Sequence, residues 1–259
     1  MRRLTLFDID GTLSKNTLEH NRAFSEAFRK VYHIDAGIDS INHEGMLDQV
    51  IIMEILKRKG LAEEEIWLKM EECMQVMVEA FRKSLKKAKL TPLKGVRKLL
   101  ETLSRKDAGL GLVTGNLEQI AREKVKKLGL DEYFKIGGFG SEDTKRENLA
   151  RLAIKRAKEF YHYKFDLHFV YLIGDTPHDI NAAKKAKVKS LAVATGIHPL
   201  KQLRGFNPDY ILKDLANTKR ILSILFEGEK GKGEASQHTN VDDRTFLTMA
   251  EDLDHGSDS

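Results

Sequence analysis

The sequence LTLFDIDGTLSKN, residues 4–16, places two aspartates, Asp8 and Asp10, directly after a mostly apolar run. Side chains two positions apart on a strand point to the same face, so the pattern predicts two carboxylates projecting together from a strand end. The apolar residues 4–7 are typical of a strand covered on both faces, as in a parallel sheet. Close carboxylates repel each other, and a divalent cation with oxygen ligands is the simplest compensation. A solvated strand end followed by a turn is the alternative interpretation.

From residue 91 onward, helix-like segments alternate with short apolar runs. Helices are predicted at 96–103, 117–128, 146–158 and 180–187, followed respectively by the runs GLGLVTGN, YFKIGG, FVYLIGD and SLAVATG. This alternation predicts an α/β fold with a doubly wound parallel sheet. Functional groups in such sheets gather beyond the carboxyl ends of the strands.

Polar residues follow the predicted strands at those ends. The second run ends at Thr114 and Gly115, the fourth ends at Asp175 with Asp179 four residues later, and a basic pair follows the third. A hydroxyl, cations and further acids would therefore meet the first two aspartates at one edge of the sheet. The glycine-rich GGFGS (137–141) lacks the spacing of a phosphate-binding loop, and we interpret it as a flexible connection.

Residues 15–90 read as an all-helical insert, since three amphipathic stripes follow one another without strand-like alternation. The last stripe, from 66 to 85, predicts one long helix. The predicted domains are therefore an α/β core (1–14 and 91–226), a helical insert (15–90) and an acidic tail (227–259). The tail is rich in glycine and charge, a composition typical of disorder.

The composition favours a soluble cytoplasmic protein. The chain has 259 residues, of which 41% are hydrophobic and 32% are charged, enough for a substantial core. Cys73 is the only cysteine, so no intramolecular disulfide forms, which fits a reducing compartment. No apolar run approaches the ~20 residues of a membrane span, and the two aspartates interrupt any signal-peptide core near the start.

The charge is unevenly distributed. The net charge is +5, and the tail carries nine acids and three bases, so residues 1–226 carry +11. A basic body attracts anionic ligands such as phosphorylated metabolites or nucleic acid. The lysines are scattered along helix-like segments rather than interleaved with aromatic residues, which argues against nucleic acid.

The motifs DIDGTL, VTGN, a Lys145-Arg146 pair and GDTPHD, in this order, resemble the four motifs of the haloacid dehalogenase superfamily. The resemblance covers about residues 3–225. Within the superfamily the chain is most similar to the phosphoglycolate-phosphatase-like branch, whose cap domain is inserted between the first and second motifs. Only 28 residues separate Arg146 from Asp175, too few for a second large cap there.

The resemblance implies a catalytic set. Asp8 would be the nucleophile that forms an aspartyl-phosphate, and Asp10 the general acid and base. Magnesium would be held by the Asp8 carboxylate, the Asp10 backbone carbonyl and Asp175, with Asp179 supporting it. The metal would offset charge between the nucleophile and the phosphate.

The resemblance also implies phosphate-binding residues. Thr114 would donate a hydrogen bond to a phosphoryl oxygen, together with backbone amides near Gly115. The third motif usually supplies lysine, but SEDTKRENL resembles the variant with arginine, so Arg146 is favoured and Lys145 is the alternative.

Asp48 resembles a cap position near the substrate, and a helix-surface acid is an equal alternative. The histidines at 20, 43, 178 and 198 show no metal-ligand spacing and receive no role.

The leading hypothesis is a magnesium-dependent phosphatase for a small phosphorylated metabolite. A dehalogenase is disfavoured because that chemistry does not need Asp10. A phosphomutase would share every core residue, and a basic binding module is the non-enzymatic alternative.

Overall fold

The computed structural model describes residues 2–106 and 108–227, with side chains up to 226. The strands are β1 (Arg3–Phe7), β2 (Ala108–Thr114), β3 (Ile136–Phe139), β4 (Val170–Gly174), β5 (Lys189–Val193) and β6 (Tyr210–Leu212). The α-helices of the insert are α1 (Leu18–Tyr32), α2 (Asp48–Arg58), α3 (Glu63–Leu68) and α4 (Met70–Leu85). The other α-helices are α5 (Val96–Ser104), α6 (Glu118–Lys127), α7 (Arg146–Phe160), α8 (Pro177–Ala186), α9 (Leu200–Gly205) and α10 (Thr218–Glu227).

The six strands form one parallel sheet in the order β3-β2-β1-β4-β5-β6. The predicted doubly wound fold is confirmed. Strand β1 lies between β2 and β4, with Phe7 opposite both Leu112 and Ile173. The residues that follow β1 therefore lie beside the ends of β2 and β4. This brings Asp8 and the residues after those two strands to one edge of the sheet.

Small side chains let α7 pack closely on the sheet. Ala150, Ala153 and Ala157 are buried in one cluster with Leu4 and Leu6 of β1. Burying this apolar face provides the main driving force for placing the helix there.

The interpretation of GGFGS as a flexible connection was wrong, because Gly137 and Gly138 lie in β3. A Cβ on Gly138 would lie 2.1 Å from the Leu149 carbonyl oxygen. Glycine is therefore needed here for the close approach of α7 to the strand, not for chain flexibility.

The insert residues form a hydrophobic cluster in which α1 packs against α4, and Leu117 and Ile120 of the core contribute to it. Phe24, Phe28 and Phe81 are fully buried there, as is Cys73. The predicted single helix at 66–85 is two helices that break at Lys69. The Tyr32 hydroxyl donates to the carbonyl oxygen of Ile66 at 2.8 Å, which satisfies an acceptor at the end of α3.

Helix α10 ends at Glu227, the last residue that the structure describes, so almost all of the predicted tail lies outside the described residues. Within the part of the chain that the structure describes, no helix combines the length and apolarity that a membrane crossing needs.

Candidate active site

Three buried carboxylates meet at the carboxyl edge of the sheet. Asp8 follows β1, Asp175 follows β4, and Asp179 lies in the first turn of α8. One oxygen atom from each lies within 4.8 Å of the others. Asp179 is fixed by a capping box, since its Oδ2 accepts hydrogen bonds from the Thr176 backbone N–H (3.1 Å) and hydroxyl (2.7 Å).

The DGT sequence of the first motif holds this group together. Gly11 has a φ of +76°, and a Cβ there would lie 2.2 Å from Asp175 Oδ2. Only glycine permits both this conformation and this approach. The next residue, Thr12, donates its hydroxyl to Asp175 Oδ1 at 3.0 Å. The loop after β1 therefore positions the carboxylate that follows β4.

Burial and mutual repulsion disfavour the charged forms of these acids. The net pKa of Asp8 is raised to about 7, mainly by burial and further by the charges of Asp179 and Asp10, against the opposing charge of Arg146. Burial, followed by the charges of Asp8 and Asp179, raises the pKa of Asp175 to about 9. Without a further cation, the group is not fully ionised at neutral pH.

Arg146, the favoured cation of the third motif, lies inside the cluster. Its Nη2 is 2.9 Å from Asp8 Oδ1 and 2.7 Å from Asp179 Oδ1. Burial alone would lower the pKa of Arg146, but the two carboxylates raise it, so the guanidinium stays charged. Lys145, the alternative, is exposed at the start of α7.

The donor set fits a hard divalent cation. Three carboxylates against one guanidinium leave an excess of negative charge, and all available ligand atoms are oxygens. The pKa values of Asp8 and Asp175 are raised mainly by burial and further by neighbouring carboxylates, so a bound cation would favour their ionised forms. The carboxylate of Asp10 is not part of this group; only its backbone carbonyl was predicted as a ligand.

The Asp10 carboxylate has a different set of partners. Its Oδ2 accepts hydrogen bonds from Lys124 Nζ at 2.5 Å and from Asn116 Nδ2 at 2.9 Å. Burial raises the pKa of Asp10, but Lys124, His20 and the two hydrogen bonds outweigh it, so the net pKa lies below the ordinary value. The two acids of the first motif therefore have opposite electrostatic environments.

Two of the predicted phosphate-binding residues, Thr114 and Gly115, lie at the end of β2. Thr114 is fully buried, and the Asn116 backbone N–H donates to its hydroxyl at 3.4 Å. Gly115 is where the insert contacts the core, since its carbonyl oxygen accepts the Asp48 N–H at 2.8 Å. A Cβ on Gly115 would lie 2.2 Å from the carbonyl oxygen of Met46, so a side chain would prevent this contact.

Three polar residues of the site received no firm role from the sequence: Lys124, His20 and Asp48. Lys124 is fully buried on α6, and its Nζ lies 3.2 Å from His20 Nδ1. His20 Nε2 lies 3.2 Å from Asp48 Oδ2, which accepts the Leu117 N–H at 2.8 Å. Asp48 is 2% exposed, so the helix-surface alternative was wrong.

A signal for Lys124 was present in the sequence. It lies three and four positions after Ala121 and Ile120, on the apolar stripe of α6. A lysine on a stripe that faces a core needs a partner, and this stripe contains no acid. The partners of Lys124 come from distant parts of the chain.

A cavity of about 50 Å³ lies between the insert and the core. Asp8, Asp10, Asn116 and Arg146 line it from the core, and the insert contributes mainly polar side chains, including Asn16, Thr17, Asn21, His43 and Glu44. The cavity therefore lies beneath the insert and is bordered both by Asp8, one of the three clustered carboxylates, and by Asp10.

Known proteins resemble the chain in sequence and in fold. The pyrophosphatase PpaX of Halalkalibacterium halodurans is 27% identical over 133 residues, 51% of this chain and 60% of that protein. The chain thus spans about three fifths of that relative. The phosphoglycolate phosphatase of Agrobacterium fabrum is 25% identical over 90% of this chain and 96% of its own. A crystal structure of a hydrolase from Pseudomonas syringae superposes with a TM-score of 0.66 at 20% identity, covering 86% of this chain and 98% of that one.

The model of one protein family matches residues 5–193, which includes all four motifs. This match extends over well above half of the chain and confirms the resemblance that the motifs indicated. The chain belongs to the haloacid dehalogenase-like hydrolases.

Proposed function

We propose that this protein is a magnesium-dependent phosphatase that hydrolyses a small phosphomonoester through an aspartyl-phosphate on Asp8. The observation that carries the proposal is the position of Asp8. Its carboxylate is buried at a strand end, 2.9 Å from the Arg146 guanidinium and beside Asp175 and Asp179. Such a site suits an anionic nucleophile that must approach an anionic phosphate.

In the first step, a carboxylate oxygen of Asp8 forms a bond to phosphorus while the bond from phosphorus to the leaving oxygen breaks. Asp10, whose low pKa leaves it ionised in the free enzyme, takes up a proton from solvent and donates it to that leaving oxygen. In the second step, Asp10 takes a proton from water, whose oxygen attacks phosphorus, and the bond to Asp8 breaks. Inorganic phosphate is released and Asp8 returns to its carboxylate form.

The phosphoryl oxygens gain charge on the way to the transition state. Arg146 is held as a cation by Asp8 and Asp179, and it is further oriented by donating from Nη1 to the Gly45 carbonyl oxygen at 3.1 Å. Thr114 and the backbone amides near Gly115 would add hydrogen bonds.

Magnesium would be held by Asp8, the Asp10 carbonyl and Asp175, with Asp179 in support. When bound, it would offset the repulsion between nucleophile and phosphate and orient both. The carboxylate cluster and the raised pKa values of Asp8 and Asp175 support this assignment.

The substrate class follows from the cavity and the relatives. The core motifs contact the phosphate end, so selection falls to the helical insert, which we propose as a cap domain. The cavity beneath it is small, and the relatives carry names of enzymes for pyrophosphate and phosphoglycolate. We therefore propose a small phosphorylated metabolite as the substrate, without involvement of nucleic acid.

The test combines turnover and mass spectrometry. With p-nitrophenyl phosphate and Mg²⁺, Asp8→Asn should abolish turnover, whereas Asp35→Asn, at an exposed acid, should leave it unchanged. Mass spectrometry of quenched enzyme should place the phosphoryl group on the peptide that contains Asp8. Turnover by folded Asp8→Asn protein would exclude the covalent mechanism. Transfer of the phosphoryl group to a sugar phosphate without net release of phosphate would instead identify a mutase.

A further inference from the structure

A series of hydrogen-bonded polar side chains runs from Asp10 in the core to the insert. Lys124 Nζ contacts Asp10 Oδ2 on one side and His20 Nδ1 on the other. His20 then contacts Asp48, which is anchored to the backbone N–H of Leu117. Every link of the series is within hydrogen-bond distance.

Lys124 is enclosed to an unusual degree for a lysine. Its side chain has no exposed surface, and its ammonium lies 5.9 Å from the ring centre of Phe81 in the insert. Desolvating an ammonium is costly unless it is paired and hydrogen-bonded. The fold therefore includes a buried charge whose carboxylate partner is Asp10.

The two oxygens of Asp10 are used differently. Lys124 and Asn116 both donate to Oδ2. Oδ1 has no hydrogen-bond partner among the described residues, and Asp10 lines the cavity. Two donors on one oxygen fix the rotation of the carboxyl group and leave the other oxygen for a ligand.

We propose that Lys124 is a positioning residue that holds Asp10 through Oδ2 so that Oδ1 faces the reacting oxygen. This proposal rests on the proposed function. Oδ1 then passes a proton taken up from solvent to the leaving oxygen, and in the second step, as an ionised carboxylate, takes one from the attacking water. Lys124 does not contact the substrate; His20, supported by Asp48, holds it in place from the insert.

The role can be separated from simple packing by following the two chemical steps. p-Nitrophenolate leaves without a proton, so formation of the aspartyl-phosphate from p-nitrophenyl phosphate needs little help from Asp10. The attack of water still needs Asp10 as a base. Loss of Lys124 should therefore slow the second step more than the first.

The experiment compares Lys124→Met with Lys127→Met, an exposed lysine on the same helix, by stopped-flow and steady-state kinetics with p-nitrophenyl phosphate. We expect Lys124→Met to release about one p-nitrophenolate per active site in a burst and then to turn over about 10- to 100-fold more slowly than wild type. KM should fall together with kcat, so that kcat/KM, which reports only the first step, changes little. Lys127→Met should match wild type.

A double variant tests whether Lys124 acts through Asp10. The turnover of Asp10→Asn/Lys124→Met should equal that of Asp10→Asn alone. Should Lys124→Met fail to fold, this comparison is used by itself, because asparagine removes the charge that the lysine balances.

Three results would overturn the proposal. The first is turnover of Lys124→Met within twofold of wild type. The second is a burst in Lys124→Met that is slowed as much as its steady-state turnover. The third is lower turnover of Asp10→Asn/Lys124→Met than of Asp10→Asn alone. The Asp8→Asn variant keeps the two proposals separate. If it is inactive while Lys124→Met is normal, only the positioning role fails.

Discussion

Raising the pH should destabilise the metal-free protein, because Asp175 keeps a proton that the unfolded chain has lost. The ordinary pKa of aspartate is about 3.9, whereas burial and neighbouring carboxylates raise that of Asp175 to about 9. A raised carboxyl pKa gives stability that is present at low pH and lost as the pH rises through the folded value. Between pH 7 and 8 the folded state holds about one extra proton, so the free energy of unfolding should fall by about 1.4 kcal/mol.

This fall corresponds to a drop in Tm of about 3–6 °C for a chain of this size. Asp8, with a pKa of about 7, adds to the loss mainly below pH 7. The pKa of His178 lies below its ordinary value, mainly through burial, so the unfolded chain holds more protons at this position. Its contribution to the slope therefore has the opposite sign and fades as the pH rises above 7. The predicted slope therefore belongs to the carboxylate cluster.

Magnesium should remove the slope, because the bound ion requires ionised carboxylates. Tm is measured by circular dichroism from pH 6.5 to 8, with excess EDTA or with saturating MgCl2, and the difference between the two curves should widen as the pH rises. Asp175→Asn should flatten the EDTA curve and abolish the effect of magnesium, whereas Asp35→Asn should behave as wild type. A difference in Tm that is zero, or constant across the range, would refute this reasoning.

Three further predictions concern the insert and the tail. Gly115→Ala should lower kcat/KM at least 10-fold, because its Cβ would lie 2.2 Å from an insert carbonyl oxygen, whereas Gly205→Ala, with open space around it, should be neutral; equal activities would argue against this contact. Asp48→Ala leaves the buried Leu117 backbone N–H and His20 Nε2 without their partner, so thermal unfolding should show a loss of about 1–3 kcal/mol, against almost none for exposed Asp39→Ala. Deletion of residues 228–259 should leave Tm and turnover nearly unchanged; a large loss of either would show that the tail contributes to the fold.

The core of the fold could be predicted because its signals are local. Each of β1 to β4 is a short, mostly apolar run that ends at or shortly before a polar residue of the site. The sheet then brings Asp8, Arg146, Asp175 and Asp179 together without further information, since parallel strands end at one edge. The separation of the roles of Arg146 and Lys145 needed the structure, because adjacent residues at a helix start point in different directions.

The remaining features depend on contacts between distant residues. The break at Lys69 places the Ile66 carbonyl oxygen against the Tyr32 hydroxyl, which is 34 residues away in sequence. The glycines of β3 look like a loop until α7 is packed against them. Lys124 and Asp10 are 114 residues apart, and neither periodicity nor charge count predicts this pairing.

Residues 45–49 form one of the contacts between insert and core, beside the packing of α4 on α6, and they bear on selectivity. The Asp48 N–H and the Gln49 side-chain amide donate to the carbonyl oxygens of Gly115 and Gly140, both at 2.8 Å, while Arg146 donates to that of Gly45. Residues 45–49 thus contact the loops after β2 and β3 and the arginine beside the nucleophile. The same segment supplies Asp48 to the hydrogen-bonded series of side chains that reaches Asp10. Under the proposed function, this contact would therefore both bound the leaving group and order Asp10, the proposed acid. A leaving group too large for the cavity would displace this segment, and would therefore lose catalysis as well as binding.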